Sequence, residues 1–324
     1  MGFRIRTVTN ISVCQAAAVM LPTLRQLQYF KSLAEFLSFS KAAEASNITQ
    51  STLSASIRQL EDILGCELVD RSGRQLVLTE DGKKVLEQAS ALLRDAQDLV
   101  QGVKSRHSPL TGRFRLGVIP SISPFLLPRM LPALRQRYPD LQLYLREDLT
   151  RNLVASLREG RIDAALIAFP YNTEGFISAE IGMDEFYLAV PDNHPLADLD
   201  MVGIDALASE RLLLLEDGHC LRNHVLAATS GRIAPPDEDI KATSLTTLVQ
   251  MVDNHLGITL VPQIAVEANV TFGTNLKLIK VDDARASRKL GLIWRRKSSF
   301  EGNAKLLCDE MNALLKNMRE PNRS

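Results

Sequence analysis

The chain has little of what marks specialised protein classes. Of its 324 residues four are cysteine and one is tryptophan, and aromatics make up 5%. Cys14, Cys66, Cys220 and Cys308 lie far apart, with no CxxC pair and no metal-ligand spacing. That excludes a disulfide-built scaffold and leaves reduced thiols in a cytoplasmic protein as the simplest reading, with no metal and no cofactor expected. Long apolar runs are missing too. None approaches the ~20 residues a membrane-spanning helix needs, so no membrane partner is expected. Excess charge of either sign is absent, with 38 basic residues against 38 acidic ones. The balance holds locally: residues 20–78 set Arg25, Lys31, Lys41, Arg58, Arg71 and Arg74 against Glu35, Glu44, Glu61, Asp62, Glu67 and Asp70. Bulk attraction therefore gives no argument for a polyanionic partner; only the placement of basic groups does. Residues 1–19 carry Arg4 and Arg6 before a tract ending in Ala16-Ala17-Ala18. That tract is too short and too interrupted by Thr9, Asn10, Ser12 and Gln15 for a good signal peptide, and reads as a disordered or artefactual extension ahead of Met20.

What is present starts with ordinary hydrophobicity, 45%, enough for two or three packed domains. Within residues 38–64, Leu53, Ile57, Leu60 and Leu64 recur at steps of four, three and four and line one face of a helix. The other face offers Gln50, Ser51, Thr52, Ser54, Ser56 and Arg58, short groups that can reach base edges in a DNA major groove. Thr49 is placed to cap this helix and Ser40 the shorter one before it. Two short helices around Asn47-Ile48 form a helix-turn-helix pattern. Periodicity alone reports only amphipathicity, so any soluble helical hairpin satisfies it equally well.

The particular residues say more. Ser40, Ala42-Ala43, Ile48-Thr49-Gln50-Ser51, Leu53-Ser54, Ile57-Arg58, Leu60-Glu61, Leu64-Gly65, Leu68 and Arg71 resemble the N-terminal domain of the LysR-type transcriptional regulators. The resemblance runs from about Leu21 to the end of the chain. It implies an α/β protein with an N-terminal all-α winged helix-turn-helix at 20–78, and a C-terminal regulatory domain like the periplasmic binding proteins at 113–319. That domain would split into subdomain I, about 113–183 plus 286–319, and subdomain II, about 184–285. The implied partners are double-stranded DNA with a two-fold operator, further copies of the chain as dimers or tetramers, and RNA polymerase.

The remaining patterns fit that layout. Leu24–Leu37 carries an apolar stripe. The segments 68–71 and 75–78 flank Ser72-Gly73 as a small hairpin, or wing, with Arg71 and Arg74 as candidates for DNA contacts or as solvated turn charges. From Thr79 an apolar stripe at steps of three and four continues to about Lys104, a helix of roughly 37 Å. It is too long for a small winged domain to bury and suits pairing with its copy, an intrachain contact being the alternative. Beyond the turn-forming linker at 106–112, short strands are expected at 114–119, 141–145, 164–167, 186–190, 212–215, 258–261, 276–279 and 291–294. Helices are expected at 123–137, 150–159, 220–229, 244–255, 262–268 and 301–317.

The chemically informative piece is Leu215-Glu216-Asp217-Gly218-His219-Cys220-Leu221-Arg222. A strand ends, a Gly turn follows, and Cys220 opens a helix, where unpaired N–H groups favour an anion such as a thiolate; His219 and Arg222 add to this. Position alone also suits a buried structural cysteine. The wording, however, is similar to the OxyR-like, hydrogen-peroxide-sensing branch of the family, which places the peroxide-reacting sulfur at Cys220. The same resemblance implies that Ser121, Thr150 and Thr243 line the site and that Arg295 supports it. Two positions depart from the branch: Thr229 stands where it has its second cysteine, and Asn223 where it tends to carry Asp. An intramolecular disulfide is therefore not expected. The alternative is a LysR-type regulator that binds a small metabolite in the cleft, with Cys220 a bystander. A thiol enzyme built on Cys220 with His219 or His224 fits worst, because no carboxylate orients either ring and the DNA-binding pattern goes unused.

Overall fold

A computed structural model of the chain describes residues 20–73, 75–104, 110–229, 241–296, 298 and 300–319. It divides into two compact units, the first ending at Leu93 and the second beginning at Arg94.

The first unit is a three-helix cluster with a small hairpin. Helix α1 (Leu24–Phe36) starts in a capping box in which Thr23 and Gln26 satisfy each other's N–H groups. Its buried stripe is Leu27, Phe30 and Leu33; Leu24 and Leu37 are about half exposed, so the stripe is narrower than the sequence pattern suggests. Helix α2 (Phe39–Ala45) is capped by Ser38, whose side chain accepts from the Lys41 N–H, and not by Ser40. The helix begins two residues earlier than expected because Phe39, half-buried against the core, is drawn into it. Thr49 caps α3 (Gln50–Leu64) as expected, and Gly65 ends it at φ 69°, a left-handed conformation that glycine adopts at little cost. Leu53, Ile57 and Leu60 are fully buried on its inner face. Strands β1 (Val69–Asp70) and β2 (Val77–Leu78) pair antiparallel as the wing. Helix α4 (Glu80–Lys104) leaves this core carrying exposed Leu92, Leu99 and Val100.

In the second unit β3 (Gly112–Val118) pairs in parallel with β4 (Leu141–Glu147) and β5 (Ala164–Phe169), and α5 (Ser123–Arg137) and α6 (Thr150–Arg158) connect them. The 16-residue β6 (Phe176–Pro191) runs through two sheets. Up to Glu185 it pairs with β12 (Ser287–Arg295), which lies on β5. From Phe186 it pairs with β10 (Thr259–Pro262) and β11 (Leu276–Val281), and β7 (Met201–Val202) closes the edge beyond β11. A further parallel pair joins β8 (Leu214–Leu215) to β9 (Lys241–Ala242). Helices α7 (Cys220–Thr229), α8 (Leu245–Asp253), α9 (Gln263–Glu267) and α10 (Glu301–Arg319) complete the unit. The first ten residues of β6 lie outside the strands expected from the sequence, although Ile177, Ala179, Ile181 and Met183 alternate there with Ser178, Glu180, Gly182 and Asp184; β12 shifts register between Leu290 and Gly291 opposite them.

Replacing Ile57 with Ala empties a fully buried site. Chemical denaturation of the variant should show a loss of about 2–5 kcal/mol, whereas Gln50→Ala on the exposed face should leave the transition in place.

Candidate functional site

The polar face of α3 stands as the sequence predicts. Gln50, Ser51, Thr52 and Arg58 are exposed, and Ser54 and Ser56 are half-buried. Hydroxyl contacts order its first turn: Thr49 Oγ1 lies 2.9 Å from Ser51 Oγ and 2.8 Å from Thr52 Oγ1. Ser40, displaced from capping, donates instead to Gln50 Oε1 at 3.0 Å, which fixes the orientation of that amide. Arg71 is committed to the fold. Its Nη2 meets Glu61 Oε2 at 2.8 Å, its guanidinium sits 5.4 Å from the centre of the Phe39 ring, and Glu61 also accepts from the Leu68 N–H. Its side chain is still 40% exposed, enough to offer further N–H groups. Arg74 lies outside the described residues.

Cys220 is the first residue of α7, half-buried and not in a disulfide. Gly218 brings its turn against the start of α6: at φ 98°, an added Cβ would stand 3.1 Å from Arg151 Nη1 and 3.3 Å from Leu149 Cδ1. The next residue of α6 is Thr150, 3% exposed, and its Oγ1 is buried with no hydrogen-bond partner. A hydroxyl so placed costs about 1–3 kcal/mol until something donates to it or accepts from it. His219 is buried beside Cys220. Burial holds its pKa below the ordinary histidine value, opposed by Glu216 and Glu147. Arg222 is fastened to Asp217 at 2.9 Å and to the Leu215 carbonyl at 3.3 Å, so it braces the turn. Thr243 is exposed in the turn after β9.

Ser121, in the turn between β3 and α5, is 3% exposed and engaged by a residue that spacing did not reveal. Arg288 donates from Nη1 to Ser121 Oγ at 2.7 Å and from Nη2 to the Ser121 carbonyl at 3.1 Å, and its Nε meets Asp184 Oδ2 at 2.9 Å. Asp184 Oδ1 accepts from the Ile264 N–H at the start of α9. Arg288 and Asp184 are 1% and 2% exposed. Nothing in the sequence marks them, because a charge amid polar residues reads as solvated until the fold covers it. Arg295 does not join this group. It lies at the other end of β12, seven residues or roughly 23 Å away, where its Nη1 donates to the carbonyls of Leu157 and Ile162. The strand register sets Arg288 against Ser121 and Arg295 against the end of α6, so the resemblance points to the wrong end of β12.

Among the described residues no cysteine is paired with Cys220. Thr229 Oγ1 turns back on its own helix, donating to the carbonyls of Val225 and Leu226. Cys308 is buried in α10 beside the Glu180 carbonyl, and burial pushes its thiol pKa up. Cys14 lies outside the described residues. Among the described residues no group of three or more His, Cys, Asp or Glu side chains is placed to hold a metal ion, and no helix is long and apolar enough to cross a membrane.

Asp184→Ala should leave the Arg288 charge buried and alone. Equilibrium unfolding of the variant is expected to lose about 3–5 kcal/mol, and much of that loss should return in the double variant Asp184→Leu, Arg288→Met.

Comparison with known proteins matches residues 24–83 to the bacterial regulatory helix-turn-helix proteins of the lysR family and residues 107–315 to the LysR substrate binding domain. The HTH-type transcriptional regulator EstR of Acinetobacter baylyi is 39% identical over 89% of this chain and 96% of its own length. The DNA-binding transcriptional dual regulator OxyR of Escherichia coli is 35% identical, over 90% of this chain and 95% of its own. Among solved structures, a cysteine mutant of Corynebacterium glutamicum OxyR with hydrogen peroxide bound is similar, with a TM-score of 0.64 and 33% identity. That likeness covers 92% of this chain and 94% of the other.

Proposed function

Because the chain belongs to the LysR family of bacterial helix-turn-helix regulators, we propose that it is a peroxide-responsive member whose sensing sulfur is Cys220. As a LysR-type transcriptional regulator it binds DNA through its helix-turn-helix and works as an oligomer. The observation that carries the peroxide reading is the unpartnered, buried Thr150 hydroxyl at the helix start against which the Cys220 turn is packed. Hydrogen peroxide is small enough for such a site and both donates and accepts hydrogen bonds. Thr150 Oγ1 is free to bond one of its oxygens, and Ser121, with Arg288 bound to its Oγ, adds a polarised hydroxyl. The sulfur lone pair of the Cys220 thiolate forms the S–O bond while the O–O bond breaks. Sulfur is oxidised to a sulfenic acid, peroxide is reduced, and the departing hydroxide takes a proton to leave as water. With Thr229 at the branch's second cysteine position, the sulfenic acid, or a mixed disulfide formed from it with a small thiol, carries the signal onward. Asn223, exposed where the branch tends to carry Asp, supplies no acid for the leaving oxygen.

The signal reaches DNA as a change in how the recognition helices of paired subunits are spaced. Exposed Leu92, Leu99 and Val100 on α4 suit pairing of that helix with its copy, and dimers joining into tetramers would set four recognition helices along a two-fold operator. RNA polymerase is the partner that reads the altered complex. Gln50, Ser51, Thr52 and Arg58 would read base edges, and Ser54 and Ser56 would reach sugar or phosphate. Arg71 would add a phosphate contact from the wing. No catalytic turnover is required of the chain, in keeping with relatives that are regulators.

A second reading rests on EstR, a relative not named for peroxide. On it a small anion, rather than peroxide, occupies the space beside Ser121 and Thr150. Thermal shifts with a panel of carboxylates, set beside peroxide, separate the two readings.

Intact-mass analysis should show Cys220 gaining one oxygen, or a small-thiol adduct, at micromolar peroxide, with a changed footprint on the target promoter. Cys220→Ser should abolish both, and a footprint that still responds in that variant excludes Cys220 as the sensor. Gln50→Ala should weaken binding to the cognate operator by about 1–3 kcal/mol while leaving the peroxide-driven mass change intact.

A further inference from the structure

One turn after Cys220 on α7, His224 is 8% exposed and places both ring nitrogens on backbone carbonyls. Nδ1 lies 2.7 Å from the carbonyl oxygen of Cys220 itself. Nε2 lies 2.8 Å from that of Phe169, the last residue of β5, which belongs to the sheet on the far side of the β6 crossover. A carbonyl oxygen only accepts. Making both hydrogen bonds therefore requires an N–H on each nitrogen, which only the imidazolium has; the neutral ring has one N–H for two acceptors.

We propose that His224 is a positioning residue that clasps the Cys220 helix to the end of β5, with both hydrogen bonds when protonated and only one when neutral. The significance of the clasp for sensing rests on Cys220 being the sensing sulfur; its existence does not. Charged neighbours set the balance. Burial comes first in holding the His224 pKa below the ordinary histidine value, and the Arg288 cation on β12 comes next. The Phe169 and Cys220 carbonyls and the Asp184 carboxylate on β6 pull it back up in part. Of the other elements packed on α7, β8 contributes only Leu214 and Leu215, and Asp205 on the short 3-10 turn at Ile204–Leu207 is exposed.

The sign follows from the lowered pKa. Folding favours the neutral ring, so the stability this group contributes is fully present above the unfolded value near 6.5 and is lost as pH falls through the lower folded value. Locally the trend is opposite, because acid supplies the second N–H and completes the clasp. At neutral pH the ring holds either the sulfur-bearing turn or the other sheet. A shift of the Cys220 backbone on oxidation would then move the single hydrogen bond from one carbonyl to the other. That is a means of passing a change at the sulfur across the two sheets without a second cysteine.

The test uses the full-length reduced protein with 15N-labelled histidine, followed by NMR across the acidic range, together with hydrogen exchange of the α7 amides corrected for intrinsic rates. Two solvent-protected His224 ring N–H signals are expected below its titration midpoint and one above it. His224→Phe, which keeps an aromatic ring but has no donor, should speed exchange in the first turns of α7 by about tenfold or more at the acidic end, as expected for losing a charge-assisted hydrogen bond. His224→Gln, whose amide carries two N–H donors at every pH, should restore protection and flatten its pH profile. Ring signals that do not change in number with pH, or α7 protection that His224→Phe leaves unaltered, overturn the proposal. Neither measurement uses peroxide, so a protein blind to peroxide would sink the sensing role of Cys220 and leave this inference standing.

Discussion

Arg288 and Asp184 meet where solvent has almost no access, and a charge pair withdrawn from water in this way is tolerable only if nearly every donor and acceptor finds a partner. Their partners come from separate parts of the second unit: the Ser121 turn after β3, the start of α9, and the strands β6 and β12 that carry the charges themselves. Desolvation makes the pair a poor source of net stability and a strict condition on geometry. The chain can cover these charges only by bringing those elements together in one arrangement, and that arrangement sets Ser121 and α7 near one another.

The Cys220 site follows from this condition. Arg288 orients Ser121 and lies close enough to His224 to lower its pKa, and the ring of His224 links the helix that starts at Cys220 to the end of β5. Gly218 lets the preceding turn approach α6, where Thr150 holds a hydroxyl that the protein itself leaves unpaired. Within the second unit Arg288 is hydrogen-bonded to Ser121 and Asp184, His224 lies on the Cys220 and Phe169 carbonyls, and the Thr150 hydroxyl stays unpaired. These are separate contacts, and the ones made by His224 run from the Cys220 backbone to the other sheet.

The local and periodic features were legible early. The spacing of Leu53, Ile57 and Leu60, the Thr49 cap and the Gly65 stop depend on neighbours three or four residues away, so they can be read before any fold is known. Cys220 at the head of a helix is legible for the same reason, since a strand, a Gly turn and a helical pattern are consecutive in the chain. Ser38 replaced Ser40 as a cap because Phe39 packs on the core, and that contact is tertiary. The resemblance placed Arg295 at the site, whereas the register of β12 against β5 and β6 brings Arg288 to Ser121.

By itself, then, the amino-acid order determined the helix-turn-helix, the long helix after it, the alternating α/β unit and the position of the sulfur, all of which are written in short-range periodicity and turn chemistry. The tertiary structure alone decided that Asp184 and Arg288 are buried partners, that Arg295 serves α6 instead, and that His224 faces two carbonyls. Burial, pairing and protonation of those groups depend on residues tens to more than a hundred positions away, and distance along a chain carries no record of proximity in space.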